Sequence, residues 1–171
     1  QKNLKKNFII NERSADKNMI VIFEGPDGAG KDFARRAFEQ ANNYRHLCIT
    51  RAWLSQFTYA CLYKRNDILD FEKYYVLCQE WYRFLRDFSP LTVLVLASPG
   101  VLAARLIKRG EDPTIKPVPA SQVEIFKKIA KNIIPSRMLL NLNTTNNPTR
   151  DAISLVIEKK IKKLEEQNGT T

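Results

Sequence analysis

The chain has 171 residues and carries 28 lysines and arginines against 18 aspartates and glutamates, so its formal net charge is +10. This length suits one ordinary domain, which buries roughly 70% of the surface that its unfolded chain exposes. The charge favours anionic partners and leaves nucleotides, nucleic acid and an acidic protein open, including a protein partner or a homodimer. No apolar stretch approaches the roughly 20 residues of a membrane span, and no signal-peptide pattern is visible, so we expect a cytoplasmic protein without membrane contact.

The most informative segment is a glycine-rich turn that follows an apolar run. Residues 20–32 read Ile-Val-Ile-Phe-Glu-Gly-Pro-Asp-Gly-Ala-Gly-Lys-Asp. Gly25, Gly28 and Gly30 permit backbone torsions that are closed to other residues, so successive amide N–H groups can converge on a phosphate. Lys31 adds a point charge for the same phosphates. The spacing therefore predicts a nucleotide-binding phosphate loop.

Strand and helix patterns alternate along the rest of the chain. Besides the strand before the loop, buried strands are predicted at residues 46–50 and 91–97, and a fourth strand is predicted at residues 138–142. A first helix is predicted from Lys31, with Phe33, Ala34, Ala37, Phe38 and Ala41 facing inward. A long helix carries an apolar stripe from Ile68 to Leu85 and ends near Asp87. Further helices are predicted at 53–63, at 99–109, after a capping box formed by Ser121 and Glu124, and from Ile153 to Leu164.

This alternation indicates an α/β fold of the P-loop NTPase type, a sandwich in which helices flank a small, mostly parallel sheet. We expect one such domain over residues 19–171, preceded by an N-terminal extension at residues 1–18. Ligands in folds of this kind bind beyond the carboxyl ends of the strands, which is where the glycine-rich loop emerges.

Three segments resemble one enzyme family. The run Phe-Glu-Gly-Pro-Asp-Gly-Ala-Gly-Lys at residues 23–31 closely resembles the phosphate loop of thymidylate kinases and related viral nucleotide kinases. Residues 50–59 look like the Asp-Arg segment of that family, and residues 98–112 resemble the entrance to its lid. The resemblance implies transfer of the γ-phosphoryl group of ATP to a nucleoside monophosphate, with Mg²⁺ bridging the donor phosphates.

The resemblance also assigns roles by position. Lys31 would act on the donor phosphates, Arg51 would hold the acceptor phosphate, and Arg105 and Arg109 would close over the site from the lid. In the family, the acid at the position of Asp27 can contact the acceptor sugar. The residues expected to bind the nucleotide are Gly25, Asp27, Gly28, Ala29, Gly30, Lys31 and Asp32. From the residues alone, the two lid arginines also fit a solvated helix face.

Two positions that normally hold magnesium depart from the family pattern. Asp32 stands where a serine or threonine follows the loop lysine, and Thr50 stands where an acid precedes the family arginine. Magnesium accepts carboxylate or hydroxyl oxygens, so the two positions can have exchanged roles, with Asp32 and Thr50 as the metal contacts. Alternatively, Asp32 only complements the positive end of its helix.

The segment that binds the acceptor base is shortened. About fifteen residues separate Lys31 from the strand at 46–50, where the family usually inserts a further strand and helices. Trp53, Phe57, Tyr59 and Tyr63 then either pack in the core or supply a replacement platform for a base.

Three functions remain open from the sequence. The leading interpretation is an enzyme, an ATP-dependent nucleotide kinase whose acceptor is a deoxynucleoside monophosphate. The second is a kinase acting on a hydroxyl of DNA or RNA, which the net charge favours. The third is a non-catalytic binding or assembly protein that kept the P-loop kinase fold.

Overall fold

The computed structural model describes residues 18–63, 71–85, 88, 90–112 and 119–168. Within these ranges, four strands form one sheet: β1 (Ile20–Glu24), β2 (Leu47–Thr50), β3 (Leu91–Leu96) and β4 (Leu139–Asn143). They lie in the order β2-β1-β3-β4 and are all parallel. The carboxyl ends of all four strands therefore meet at one edge of the sheet, as the sequence predicts.

Helices connect these strands. The described helices are α1 (Lys31–Ala41), α2 (Trp53–Leu62), α3 (Phe71–Leu85), α4 (Pro99–Lys108), α5 (Pro119–Ile133) and α6 (Arg150–Asn168), and a 3₁₀ turn lies at Ser136–Met138. Helix α1 packs on α6, whereas α2 packs on α3 and α5, and α4 packs beside α5. The α/β prediction is confirmed. In the described part of the chain, no helix is both long and apolar enough to span a bilayer.

The core is built around the two central strands. The run from Leu91 to Val95 is fully buried, which confirms the prediction that this apolar segment is covered on both faces. On one side the ring of Phe38 in α1 lies against that of Phe23 in β1, with 6.4 Å between centroids. Burying each such ring contributes roughly 1.5–3 kcal/mol to folding.

The prediction that β2 is buried is wrong. Leu47 and Ile49 are 59% and 37% exposed, because β2 lies at the edge of the described sheet and pairs only with β1. Its alternate residue Cys48 is half-buried against the core. The described sheet has two edges, β2 and β4, and which of the four strands lie there depends on strand order, a tertiary property that periodicity does not encode.

Two details of the helices also differ from the predictions. In α1, Ala34, Ala37 and Phe38 are buried as expected, but Phe33 and Ala41 are exposed, and Phe33 faces a cavity described below. Ser121 does not cap α5, since the helix already begins at Pro119, whose fixed φ suits a first helical turn.

Some predictions lie outside the described residues. They include the placement of Ile68 and Asp87 in the long helix, and nearly all of the N-terminal extension, residues 1–17. Within the described part of that helix, α3 ends at Leu85, and Cys78, Tyr82 and Leu85 are buried as predicted.

Candidate functional site

The glycine-rich loop joins β1 directly to α1. Gly25, Gly28 and Gly30 have φ angles of +139°, +78° and +89°, values that side-chain-bearing residues rarely adopt. At Gly25 an added Cβ would lie 2.1 Å from the carbonyl oxygen of Val95, so β3 passes too close for any other residue. Gly30 is the N-cap of α1, so the positive end of the helix dipole lies at the loop.

Lys31 is folded back against this loop. Its side chain is buried, and Nζ donates hydrogen bonds to the carbonyl oxygens of Gly25 at 2.7 Å and Pro26 at 2.8 Å. Burial, helped by the positive charge of Arg51, lowers the pKa of this ammonium from 10.5 to about 8. Asp27, Glu24 and Asp32 lie near enough to oppose this fall of the pKa, and a phosphate placed on the loop would add further negative charge beside the ammonium.

A cavity of about 460 Å³ opens over the loop and the start of α1. It is lined by Gly28, Gly30, Lys31, Asp32, Phe33, Arg51, Arg105, Lys108 and Arg109. Five of these side chains are cationic and one is a carboxylate. We call it the phosphate cavity, because a glycine-rich loop, a helix N-terminus and an excess of cations together favour a polyanion.

A second cavity, of about 280 Å³, adjoins the phosphate cavity on the side of β4. The two share Gly30, Phe33 and Arg105. The remaining residues of this second cavity are Ala29, Thr144, Asn147, Pro148 and Ile153. Its wall is therefore mixed, with apolar surfaces beside an amide and a hydroxyl group, which is the composition typical of small-molecule sites.

A third cavity, of about 270 Å³, adjoins the phosphate cavity on the side of β2 and shares Arg51 with it. It is lined by Asp27, Arg51, Ser55, Gln56, Tyr59 and Tyr63. We call it the polar cavity. The four aromatic residues singled out in the sequence therefore lie in two different places. Tyr59 and Tyr63 line this cavity, whereas Phe57 is buried and Trp53 packs against the core.

Arg51 lies between the phosphate cavity and the polar cavity, and its backbone is strained. It follows β2, donates its N–H to the carbonyl oxygen of Phe23 at 3.1 Å, and has a φ angle of +58°. Left-handed backbone at a residue with a side chain costs free energy and recurs at functional sites. Its guanidinium lies 3.4 Å from the carboxylate of Asp27 and is 54% exposed.

Arg105 is held by a fixed network. Its guanidinium donates to the carbonyl oxygens of Gly28 at 3.1 Å and Thr144 at 2.7 Å, and to Oδ1 of Asn147 at 2.7 Å. This side chain thus joins α4, the loop and the turn after β4. Arg109 is one turn further along, lines the phosphate cavity and pairs with Glu111 at 3.0 Å.

The two predicted metal contacts lie in different settings. Asp32 is exposed in the first turn of α1 and lines the phosphate cavity. Thr50 ends β2 directly before Arg51, but it is not among the described residues that line any of the three cavities. The structure therefore brings one of the two to the phosphate cavity.

Glu24 has no role in the sequence interpretation, yet it is central to this site. It is fully buried at the end of β1, and its carboxylate accepts hydrogen bonds from the N–H of Leu54 at 3.2 Å and from the hydroxyl of Ser55. Burial raises the pKa of this carboxyl, and the Ser55 hydrogen bonds and the charge of Lys31 oppose that rise. The sequence does contain a signal for this role of Glu24, since a charged residue stands at the end of an apolar strand, at the edge of the sheet where the site lies.

Two further polar residues brace the loop from distant segments. The hydroxyl of Thr144, just beyond β4, donates to the carbonyl oxygen of Ala29 at 2.7 Å. Oε1 of Gln122, buried in α5, accepts the N–H of Asp27 at 3.2 Å. The position of Thr144 just beyond a strand end is a sequence signal for a residue at the site. Nothing in the sequence connects Gln122 to the loop.

The comparisons with known proteins give a fold. No protein-family model and no curated protein matches the chain. Among solved structures, the chain is similar to the YorR protein from Bacillus subtilis, solved in complex with phosphorylated GDP; they share 21% identity over 87% of this chain and 98% of that one, with a TM-score of 0.64. This likeness shows that the chain has the same α/β fold.

A more distant likeness is to a candidate kinase from Chloroflexus aurantiacus. The identity is 13%, the match covers 84% of this chain and 98% of that one, and the TM-score is 0.46. At this distance the likeness supports no argument.

Replacing Glu24 tests its contribution to the site. Glu24→Ala leaves the N–H of Leu54 and the hydroxyl of Ser55 buried without an acceptor, so we expect the free energy of unfolding to fall by about 2–4 kcal/mol. Glu24→Gln keeps an acceptor of the same shape and should cost less. Urea unfolding followed by circular dichroism measures both.

Glu124→Ala is the matched control for this measurement. Glu124 is 76% exposed beside Lys127, so its removal should change the stability by less than about 0.5 kcal/mol. An alanine variant of Glu24 as stable as this control would contradict the role given to the buried carboxylate.

Proposed function

We propose that this protein transfers the γ-phosphoryl group of ATP to a nucleotide, with a deoxynucleoside monophosphate as the acceptor. The observation that carries the proposal is the position of Arg51, which lines both the phosphate cavity and the polar cavity. Phosphoryl transfer depends on positioned positive charge more than on covalent chemistry. A cation shared by two adjoining cavities suits a group that passes from one to the other.

The donor would occupy the loop and the cavity beside β4. Its β- and γ-phosphates would bind the N–H groups of the loop and Lys31, with Arg105 at the junction of the two cavities. The base would then rest against Phe33 and Pro148, within reach of the amide of Asn147. That YorR, a protein of this fold, was solved in complex with phosphorylated GDP supports a nucleotide as the ligand.

The acceptor would occupy the polar cavity. Arg51 would hold its phosphate, and the carboxylate of Asp27 would accept a hydrogen bond from a sugar hydroxyl. Tyr59 and Tyr63, whose ring centroids lie 6.0 Å apart, would form the wall against its base. Arg109 would cover the phosphates from the outer side of the phosphate cavity, the role that the lid interpretation gives it, with Lys108 beside it. Arg105, the other arginine of that interpretation, is already bonded to the loop and to the turn after β4.

Magnesium fits this arrangement through Asp32. Mg²⁺ is usually held by one or two carboxylates together with substrate phosphates and water, and the Asp32 carboxylate lines the phosphate cavity. Among the described residues there is no cluster of three metal-binding side chains, so phosphate oxygens would supply much of the coordination. Bound Mg²⁺ would neutralise part of the phosphate charge. A metal contact through Thr50 is supported only by the position of this residue at the end of β2, directly before Arg51.

A transfer assay tests the proposed function directly. Labelled γ-phosphate is offered as Mg-ATP with nucleosides, nucleoside monophosphates, DNA and RNA as separate acceptors. We expect label on a deoxynucleoside monophosphate, and a loss of at least about 100-fold in Lys31→Ala and in Arg51→Ala, because each removes positive charge from the path of the phosphoryl group.

Arg36→Ala is the matched control in this assay. Arg36 is exposed on α1 and lines none of the three cavities, so its loss should leave transfer unchanged. Label on DNA or RNA instead would overturn the acceptor assignment. ATP binding without transfer to any acceptor would favour the non-catalytic interpretation.

Replacing Asp32 tests the metal proposal. If this carboxylate holds Mg²⁺, Asp32→Ala should lower the affinity for ATP about tenfold or more in the presence of Mg²⁺ and should leave affinity the same or higher in its absence, since a repulsive charge is gone. Calorimetric titration with and without Mg²⁺ measures both values. Equal losses under the two conditions would contradict a metal role.

The lowered pKa of Lys31 predicts how ATP binding depends on pH. In the free protein the ammonium loses its proton near pH 8, whereas bound phosphates stabilise the charged form and raise its pKa. Binding therefore takes up a proton above about pH 8, and the dissociation constant should rise by up to about tenfold per pH unit there. It should be nearly constant at lower pH. Lys31→Met should abolish this dependence; an unchanged slope in that variant would assign it to another group.

A further inference from the structure

The second cavity, beside β4, presents few polar side chains to a ligand. Among the described residues that line it, the side chains that can form hydrogen bonds are those of Arg105, Thr144 and Asn147. Phe33, Pro148 and Ile153 supply apolar surface. The bonds that the three polar side chains already make therefore determine what this cavity offers to a base.

The guanidinium of Arg105 fixes the orientation of the Asn147 side chain. Its terminal nitrogens donate to the hydroxyl of Thr144 at 3.1 Å, to the carbonyl oxygen of Thr144 at 2.7 Å and to Asn147 at 2.7 Å. A guanidinium has no acceptor, so the atom of Asn147 that faces it has to be the amide oxygen, Oδ1. The two ends of an amide are usually difficult to tell apart, but here the chemistry of the partner distinguishes them.

The side-chain oxygens of this cavity are already engaged. The hydroxyl of Thr144 donates to the carbonyl oxygen of Ala29 at 2.7 Å and accepts from Arg105. Oδ1 of Asn147 accepts from Arg105 as well. What Asn147 offers to a ligand is therefore its NH₂ group, which only donates, and Arg105 adds a positive charge beside it. The cavity favours a base whose edge carries acceptors.

The two common purines differ at this edge. Guanine carries two acceptors side by side, O6 and N7, whereas adenine carries the acceptor N7 beside an amino group that donates. The amino group of adenine would bring a donor against the NH₂ of Asn147 and a positive charge. The keto oxygen of guanine would accept from the same NH₂. A buried donor without an acceptor costs free energy, so the two bases bind unequally.

We propose that the second cavity selects a 6-oxopurine, so that GTP binds more tightly than ATP, with Asn147 as the residue that determines this specificity. This inference rests on the proposed function, in which the cavity holds the base of the phosphoryl donor; ATP remains a donor of lower affinity. The backbone of Asn147 agrees with such a role. Its φ angle is +48°, in the left-handed region that asparagine adopts more readily than most residues and that recurs at functional sites.

Calorimetric titration with three triphosphates in the presence of Mg²⁺ tests the selection. We expect GTP to bind about five to ten times more tightly than ATP, which is the effect of about one net hydrogen bond. ITP carries the same keto oxygen as guanine but lacks the 2-amino group. Its affinity should therefore lie within about twofold of that of GTP, since the amide reads the 6-position.

Asn147→Asp reverses the chemistry at the same position. The variant replaces the NH₂ by an oxygen that accepts from the amino group of adenine, so the ratio of GTP affinity to ATP affinity should fall at least about tenfold and favour ATP. The added charge weakens both nucleotides, and the ratio removes that shared effect. Asn146→Asp is the matched control. Asn146 is exposed in the same turn and lines none of the three cavities, so this variant should keep the wild-type ratio.

The outcomes separate this inference from the proposed function. If none of the three triphosphates binds the wild-type protein, the proposed function fails and the base assignment fails with it. If ATP binds as tightly as GTP, or ITP as weakly as ATP, only the base assignment is overturned. An unchanged ratio in Asn147→Asp would contradict the role given to Asn147.

Discussion

The buried carboxylate of Glu24 is the interaction on which the geometry of the site depends. It closes β1 at the point where the loop begins, and through Leu54 and Ser55 it holds the first turn of α2 against that strand. A buried carboxylate is unfavourable unless its oxygens are hydrogen-bonded and a positive charge lies near, and Lys31 supplies the charge. The loop and the polar cavity therefore share one anchor.

A second polar network holds the opposite side of the loop. Thr144 and Arg105 bind the carbonyl oxygens of Ala29 and Gly28, so the turn after β4 and helix α4 are both fastened to the loop backbone. The N–H of Ala29 is itself bonded to the carbonyl oxygen of Pro26, so the loop backbone is fixed on this side by several hydrogen bonds. Two networks of hydrogen bonds thus give a glycine-rich segment one conformation, despite the freedom of its residues.

The local features of the fold could be read from the sequence, whereas features set by distant contacts could not. The loop, the start of α1 at Lys31 and the buried run at Leu91 follow from glycine spacing and hydrophobic periodicity, which act over neighbouring residues. The edge position of β2 and the exposure of Phe33 depend on which elements pack beside them. The contact of Gln122 with Asp27 spans 95 positions and leaves no trace in a single sequence.

The position of Arg51 has an energetic consequence for the proposed pair of ligands. Its guanidinium borders both the phosphate cavity and the polar cavity and lies 3.4 Å from the carboxylate of Asp27. In the proposed function, a phosphate that drew this guanidinium away from Asp27 would meet the cost of separating the pair. The binding of donor and acceptor would then be linked through one side chain, and such linkage is reciprocal: each ligand would change the affinity for the other by the same factor.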